Sequence, residues 1–438
     1  MSVEETKQGR EAPDKYGWVE TSIWTERMLT ALERGLEGGK WFSLIDKVYS
    51  GKNLQASWIK VKGNRGSAGV DAQSIERFSQ NEQKYLDEIQ EELKGGKYRP
   101  QPVRRVWIPK EGSSELRPLG IPVVKDRIVQ TAIRNVIEPI FEKKFYGHSY
   151  GFRPRKSCKD ALRRVTKLLK EGYRWIVDID IRDYFGNIEH RILMKKLEEE
   201  IADRRLLELI GEYLKAEIVE ESRSWTAETG TPQGGAISPL LSNIYLHSMD
   251  MELSVKGYEL IRYADDFVVL CREKEEAGKA AEETERILKD LKLEIHRGKS
   301  GIIDMEEPGG FDFLGYHFER SRHMKDKINR YPTRKSLKKI KDKVRGITKR
   351  RNGNSLEFTT KRLNLILKGW FEYYKHSHRW IFISIDSWIR MRLRSILRRR
   401  HGRRGRGRGL DHVRYPNAYF ADIGLFSLKA AYTTAVQP

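Results

Sequence analysis

Leu260-Ile261-Arg262-Tyr263-Ala264-Asp265-Asp266-Phe267-Val268-Val269-Leu270 sets two adjacent carboxylates between two short apolar runs. The runs are rich in β-branched and aromatic residues, so the stretch reads as a β-hairpin with acids at its tip. Carboxylates so close repel one another and are costly to hold unless a cation lies between them. Mg²⁺ suits the place, because it takes hard oxygen ligands and is often held by one or two carboxylates plus substrate phosphates. A solvated polar turn would also carry an Asp-Asp pair. The metal reading therefore needs a further acid on a neighbouring strand.

Trp175-Ile176-Val177-Asp178-Ile179-Asp180-Ile181 supplies one. Aspartates two apart share a face of a strand, and aspartate is disfavoured inside strands, so Asp178 and Asp180 mark a site or a strand end. The following Arg182-Asp183-Tyr184-Phe185-Gly186-Asn187-Ile188 reads as a turn into a helix that begins near Glu189. If this strand pairs with the hairpin, Asp180 meets Asp265. Two metals ~4 Å apart between such acids would activate a 3′-hydroxyl and stabilise a leaving pyrophosphate.

The chain's other strings resemble, in order, the reverse transcriptase–maturase proteins encoded by bacterial group II introns. Ser57-Trp58 through Gly69-Val70-Asp71 is similar to the family's opening block. Tyr98-Arg99-Pro100, Trp107-Ile108-Pro109-Lys110 and Arg117-Pro118-Leu119-Gly120-Ile121-Pro122 resemble its fingers strands, and His148-Ser149-Tyr150-Gly151-Phe152-Arg153-Pro154 follows. Gly230-Thr231-Pro232-Gln233-Gly234-Gly235 with Ser238-Pro239-Leu240-Leu241-Ser242-Asn243 is similar to the family's most specific string. Phe313-Leu314-Gly315-Tyr316 looks like the end of the palm.

The resemblance implies that Asp180, Asp265 and Asp266 bind two Mg²⁺, with Mn²⁺ as the alternative ion and Ile181 counted among the ligands. It implies that Lys110 and Arg117 reach the incoming triphosphate, that Gln233 and Gly234 line the nucleotide pocket, and that Tyr263 belongs to the same pocket. Phe185 falls where the family packs an aromatic ring against the sugar, leaving no room for a 2′-hydroxyl. Lys299 matches a lysine thought to protonate the leaving pyrophosphate. Gly186 departs from the pattern, standing where many relatives carry an aspartate that is not a metal ligand.

Composition sets the outer bounds. The 438 residues carry 84 Lys and Arg against 62 Asp and Glu, a formal net charge of +22. Such an excess marks a polyanion binder whose affinity falls with salt, and by itself it fits a ribosomal or membrane-surface protein equally. No run approaches the ~20 apolar residues a spanning helix needs, and the polar N-terminus lacks a signal peptide's apolar core. A cytoplasmic protein, without membrane contact, is expected. Cys158 and Cys271 stand alone, so no structural zinc is expected. Many members of the resembled family carry a cysteine-paired endonuclease domain; the chain stops at Pro438 without one, so integration is expected to need a nick or a replication fork.

The expected architecture is α/β, a right-hand polymerase with mixed α/β fingers and palm, followed by an all-α thumb or maturase domain and a basic tail. Residues 1–54 form a helical extension, 55–170 the fingers, 171–318 the palm, 319–395 the thumb and 396–438 an Arg/Gly-rich segment with a C-terminal tail. Helices are expected over 127–145, 198–214, 275–291, 336–350, 358–375 and 385–400, with 320–334 as a linker. Lys335, Lys338 and Lys339, with Lys341 and Lys343, are too dense for an ordinary solvated face and point to RNA. Arg398, Arg399, Arg403, Arg404, Arg406 and Arg408 lie in a glycine-interrupted run suited to bidentate phosphate binding, disordered or extended until RNA binds. Trp370 and Tyr374 are core residues in one reading and base-stacking platforms in the other.

The function implied is RNA-directed DNA synthesis joined to intron RNA binding and splicing. The partners are group II intron RNA in a ribonucleoprotein, an RNA template with a DNA primer, target DNA and dNTPs. The rivals are a splicing cofactor with a dormant polymerase, a similar reverse transcriptase recruited for phage defence or CRISPR adaptation, and an RNA-dependent RNA polymerase, which Phe185 disfavours.

Overall fold

The computed structural model describes residues 16–36, 39–109, 116–220, 223–226, 228–231, 234–321, 327–350 and 353–436. Among them the chain divides into two compact units. One is built from the stretches up to Pro109, Leu116–Val165 and Val177–Ile302, the other from Thr166–Ile176 and the stretch from Ile303 onward. No described helix is long and apolar enough to cross a membrane.

The first unit carries one whole sheet and most of a second. Strands β1 (Val103–Pro109), β2 (Leu116–Ile121), β4 (Glu217–Glu220) and β5 (Arg223–Thr226) make one, in the order β2-β1-β4-β5. The β1–β2 hairpin is antiparallel, and β4 joins β1 in parallel through Val103 opposite Ile218. Strands β3 (Trp175–Ile179), β6 (Glu259–Tyr263), β7 (Asp266–Cys271) and β8 (Gly301–Asp304) make the other, in the order β6-β7-β3-β8. The acidic strand is thus paired with the hairpin that carries the two aspartates. Val268, Val269, Leu270, Ile176 and Val177 are buried on both faces, as central strands between helical layers require. The helices Ser238–Val255 and Lys274–Asp290 pack on β6 and β7 respectively.

Helix Val124–Glu142 buries 14 of its 19 residues. Helix Gly51–Gly63 packs on it, and Asn53 donates through Nδ2 to Ala132 O at 3.0 Å. Glu26–Arg34 and Ile45–Val48 are helical, as expected before residue 54, although the cut after 54 falls within Gly51–Gly63.

The helix expected to begin near Glu189 runs His190–Glu198, and the one expected over 198–214 starts only at Arg204 and runs to Leu214. Asp203 explains the break. Its Oδ1 accepts from Leu206 N at 3.1 Å as an N-cap, while Oδ2 accepts from Leu44 N at 2.7 Å and Ile45 N at 2.8 Å. One carboxylate therefore caps the second helix and ties down the start of another.

The second unit is not all helix before its bundle. Strands β9 (Phe311–Phe313), β10 (Tyr316–Arg320) and β11 (Ile328–Pro332) form a sheet in the order β11-β10-β9. The expected linker thus contains β11, which pairs with β10 from Tyr316–Pro332 to Arg320–Ile328. Helices Arg334–Ile347, Leu356–Tyr374 and Arg379–Arg400 follow, with short helices Leu410–Arg414, Asn417–Asp422 and Leu428–Val436. Leu363, Leu367, Phe382, Leu393, Phe420 and Leu428 share one core, so the apolar tail folds back on the bundle as expected.

Candidate active site

Tyr263 pairs with Asp266 across the β6–β7 hairpin, leaving Ala264 and Asp265 as a two-residue turn. Ala264 has φ 61°, the positive value that two-residue hairpin loops demand at their first position. Gly151 explains how the turn is seated. A Cβ at Gly151 would lie 2.2 Å from Ala264 N, so only glycine lets the two backbones pass. Tyr150 N donates to Arg262 O at 2.8 Å and Arg262 N to His148 O at 3.0 Å, lacing the segment 148–151 along β6.

Asp180 directly follows β3, at its carboxyl end. Its backbone is clamped by the segment 294–300. Ser300 Oγ accepts from Asp180 N at 3.0 Å while donating to His296 O at 3.1 Å, and His296 N donates to Asp180 O at 2.8 Å. Ile181 is buried and bridges to Ile295. β3 adjoins β7, and the Asp180 charge reaches Asp265. Burial holds the Asp265 carboxyl above the usual carboxylate range, and Asp180 pushes the same way; its own backbone N–H, Arg117 and Arg262 pull it down. Asp266 is exposed at the start of β7.

The donor set is all hard oxygen, and a divalent cation would relieve the repulsion between Asp180 and Asp265. The acids do not close on a point: among the described residues no three His, Cys, Asp or Glu side chains form a ready-made metal cluster. Such a site is completed by substrate phosphates and water, so the residues fit a divalent ion without closing around it.

Lys299 stands at this site, with Nζ 3.0 Å from Asp180 Oδ2. The two side chains are 63% and 44% exposed, so the pair is weak and readily displaced. Arg117 is exposed on β2 and within electrostatic reach of Asp265. Lys110 and Gln233 lie outside the described residues.

Phe185 is half-buried, edge-on to the buried Tyr184 at 5.2 Å. It lines a cavity of about 240 Å³ with Arg105, Pro118, Asp183, Trp225 and Thr231. Thr231 N donates to Phe185 O at 2.9 Å, so the string from Gly230 is bonded to the aromatic turn. Gly234 has φ 121°, and a Cβ there would meet Gly120 O of β2 at 2.2 Å. Tyr263 packs beside Phe152, with ring centroids 6.4 Å apart, and burial with a Cys158 hydrogen bond pushes its hydroxyl up to about 12.

Sequence reasoning missed a buried latch behind the turn. Arg262 is fully buried, with Nε 2.7 Å from Asp250 Oδ1. Its Nη1 donates to Asn243 Oδ1 at 3.0 Å and to Ala264 O at 2.8 Å. Asn243 Nδ2 donates in turn to Gly151 O at 2.8 Å. The available signal is an arginine inside an apolar strand, which a core tolerates only when paired.

Within the second unit, the basic residues fall into two groups. Lys335, Lys338 and Lys339 line a groove of about 810 Å³ between helices Arg334–Ile347 and Leu356–Tyr374. Trp370 packs on Tyr374 at 4.9 Å, Tyr374 Oη donates to Ser336 Oγ at 2.8 Å, and both rings line the same groove. The Arg/Gly segment is more ordered than expected. Arg398 Nη1 lies 2.9 Å from Asp411 Oδ2, its Nε donates to Arg404 O at 2.8 Å, and Gly407 N donates to Ser395 Oγ at 3.0 Å. Arg403, Arg404, Arg406 and Arg408 are exposed around these anchors, and Arg399 is half-buried.

Residues 108–318 match the family model for reverse transcriptase (RNA-dependent DNA polymerase), and residues 337–414 match that for the group II intron maturase-specific domain. Protein YkfC of Escherichia coli K12 is 36% identical over 276 residues, which are 54% of this chain and 72% of YkfC. The chain belongs to the group II intron reverse transcriptase–maturase family. Family membership makes it an RNA-dependent DNA polymerase of mixed α/β fold followed by a helical maturase region. The group II intron-encoded protein LtrA of Lactococcus lactis is 41% identical over 196 residues, 44% of this chain but only 32% of LtrA. A partial Cas6-RT-Cas1–Cas2 complex superposes with TM-score 0.35 at 23% identity, over 57% of this chain and 41% of that one, a likeness too slight to carry an argument. Divalent-ion chemistry and nucleic-acid substrates are general to reverse transcriptases.

Proposed function

We propose that this chain copies RNA into DNA at the Asp180–Asp265–Asp266 site and grips group II intron RNA through its maturase region, promoting splicing and mobility. What carries the reading is the convergence of Asp180, from the end of β3, with Asp265, from the β6–β7 turn, within electrostatic reach of Arg117 of β2.

In this reading Asp180, Asp265 and Asp266 hold two Mg²⁺ (Mn²⁺ being the alternative), with Ile181 beside them. Bound there, the ions supply activation of the primer 3′-hydroxyl and charge neutralisation on the triphosphate. Arg117, with Lys110, binds the triphosphate of the dNTP. Phe185 packs against its sugar and excludes a 2′-hydroxyl; Gln233, Gly234 and Tyr263 shape the rest of the pocket. Lys299, released from Asp180, delivers a proton to the leaving pyrophosphate. Lys335, Lys338, Lys339 and the exposed arginines of 399–408 meet RNA phosphates. Residues 55–170 serve as fingers, 171–318 as palm and 319–395 as thumb, and 396–438 as basic tail, behind an extension over 1–54. The template–primer duplex, intron RNA and target DNA are the partners, in the cytoplasm and at the nucleoid.

The test is primer extension on poly(rA)/oligo(dT) with Mg²⁺. Asp265→Asn removes several kcal/mol of transition-state stabilisation, about 10³-fold in rate, while RNA binding stays. Full extension by that variant ends the reading.

A further inference from the structure

The apolar run of β6 is broken by one buried charge, Arg262, and burial of a lone guanidinium is prohibitive. Its partners lie on helix Ser238–Val255. Asn243 and Asp250 are seven residues apart, two helical turns, and so share a face. Both are buried, Asp250 completely. Asp250 takes Nε of Arg262 at 2.7 Å and also Nη2, which leaves Nη1 to divide between Asn243 Oδ1 at 3.0 Å and Ala264 O at 2.8 Å. A guanidinium is a planar fork, so fixing two donors on Asp250 fixes the direction of the third. Ala264 O belongs to the peptide that joins Ala264 to Asp265. Its orientation is therefore set from the helix, through a rigid side chain. The far side of the same turn is pressed by Gly151, whose carbonyl is held by Asn243.

We propose that Arg262, braced by Asp250 and Asn243, is a positioning residue that sets the Ala264–Asp265 peptide and so aims the Asp265 carboxylate at the metal site. This rests on the assignment of Asp265 as a metal ligand in the proposed function. None of the latch's three residues is assigned to nucleotide or ion in the proposed function. The latch acts as outer partners of metal ligands do, whose loss costs about 10–100-fold in affinity or activity.

A purely structural role is separable from an aiming role. Arg262→Met with Asp250→Leu fills the space with apolar side chains, an exchange for a buried ion pair that is often neutral in stability. The double variant is titrated with Mn²⁺ alone, reading free ion by electron paramagnetic resonance, beside thermal melting and steady-state primer extension. The expected result is parental melting, Mn²⁺ affinity down about 10–100-fold, kcat down by a similar factor and KM for dNTP within about twofold. Parental Mn²⁺ affinity and kcat in the folded double variant overturn the proposal. If the double variant does not fold, Arg262→Lys decides: lysine keeps the charge but cannot reach Asp250 and Ala264 O together, so parental Mn²⁺ affinity there overturns the proposal equally. Asp265→Asn runs alongside in the same Mn²⁺ titration. Undiminished affinity in that variant fails the underlying site assignment instead, whatever Arg262 does.

Discussion

At the scale of single residues, the site is set as much by what is missing as by what is present. Gly151 touches no substrate in the proposed chemistry, yet its lack of a Cβ leaves the room that the Ala264 backbone takes up. Gly151→Ala forces the turn away from a 2.2 Å overlap. Overpacking of this kind costs about 1–3 kcal/mol. Primer extension should fall further than melting implies, because the displaced turn carries Asp265; equal kcat in parent and variant sinks that account. A second residue-scale effect lies far from the acids. Asp126 is buried, and burial raises its pKa to about 6 even though Tyr98, Gln101 N and Tyr213 donate to it. The folded state thus prefers its neutral form. Its stability is fully present below the unfolded value near 3.8 and is lost as pH rises through 6. Asp126→Asn removes that titration. The stability of the parent relative to this variant should fall by about 2–3 kcal/mol between pH 4 and pH 7.5, read by urea unfolding, with a flat difference as the refuting result. The candidate acids Asp180, Asp265 and Asp266 stand out in sequence because they break apolar strand patterns. Arg262 broke one too, but its meaning depends on Asp250 and Asn243, which only the abutting helix supplies.

At the scale of elements, periodicity located most helices to within a few residues and failed where a side chain overrides it. The stretch 198–214 has helical spacing throughout, but Asp203 captures the backbone N–H groups of Leu206, Leu44 and Ile45 and interrupts it. β11 was hidden because Ile328-Asn329-Arg330-Tyr331-Pro332 has little apolar alternation; its pairing with β10 supplies the order that composition does not. The last helix shows the same logic in reverse. Leu428–Val436 starts against Asp386 of helix Arg379–Arg400, whose carboxylate accepts from Ser427 Oγ at 2.8 Å, Leu428 N at 3.1 Å and Lys429 N at 3.1 Å. A borrowed cap of this kind satisfies orphan donors that a nine-residue helix cannot. Asp386→Ala should cost about 1–3 kcal/mol locally and speed hydrogen exchange across 428–436. Unchanged protection in that helix rejects the cap.

At the scale of the whole chain, a net charge of +22 says only that polyanions bind, not which arginines meet them. The Arg/Gly stretch illustrates the difference. Read as composition, 398–409 is one flexible basic tract. In the structure it is a loop pinned at Arg398, Gly407 and Asp411, with other arginines left outward. Pinning lowers the ordering entropy that a disordered tract would lose on binding RNA. The two classes of arginine should then separate by experiment. Removing one cation that meets a phosphate flattens the dependence of log affinity on log salt by about 0.7–0.9. Arg403→Ala, Arg404→Ala and Arg406→Ala combined should lower the slope by about 2 with little change in melting. Arg398→Ala should do the opposite, lowering the melting temperature by freeing the buried Asp411, while the slope stays near that of the parent. Intron RNA binding measured by filter retention across a KCl series, beside calorimetry of each variant, distinguishes them. If Arg398→Ala flattens the slope as much as the triple variant, the loop is a uniform polycation after all, and its anchors have no separate role.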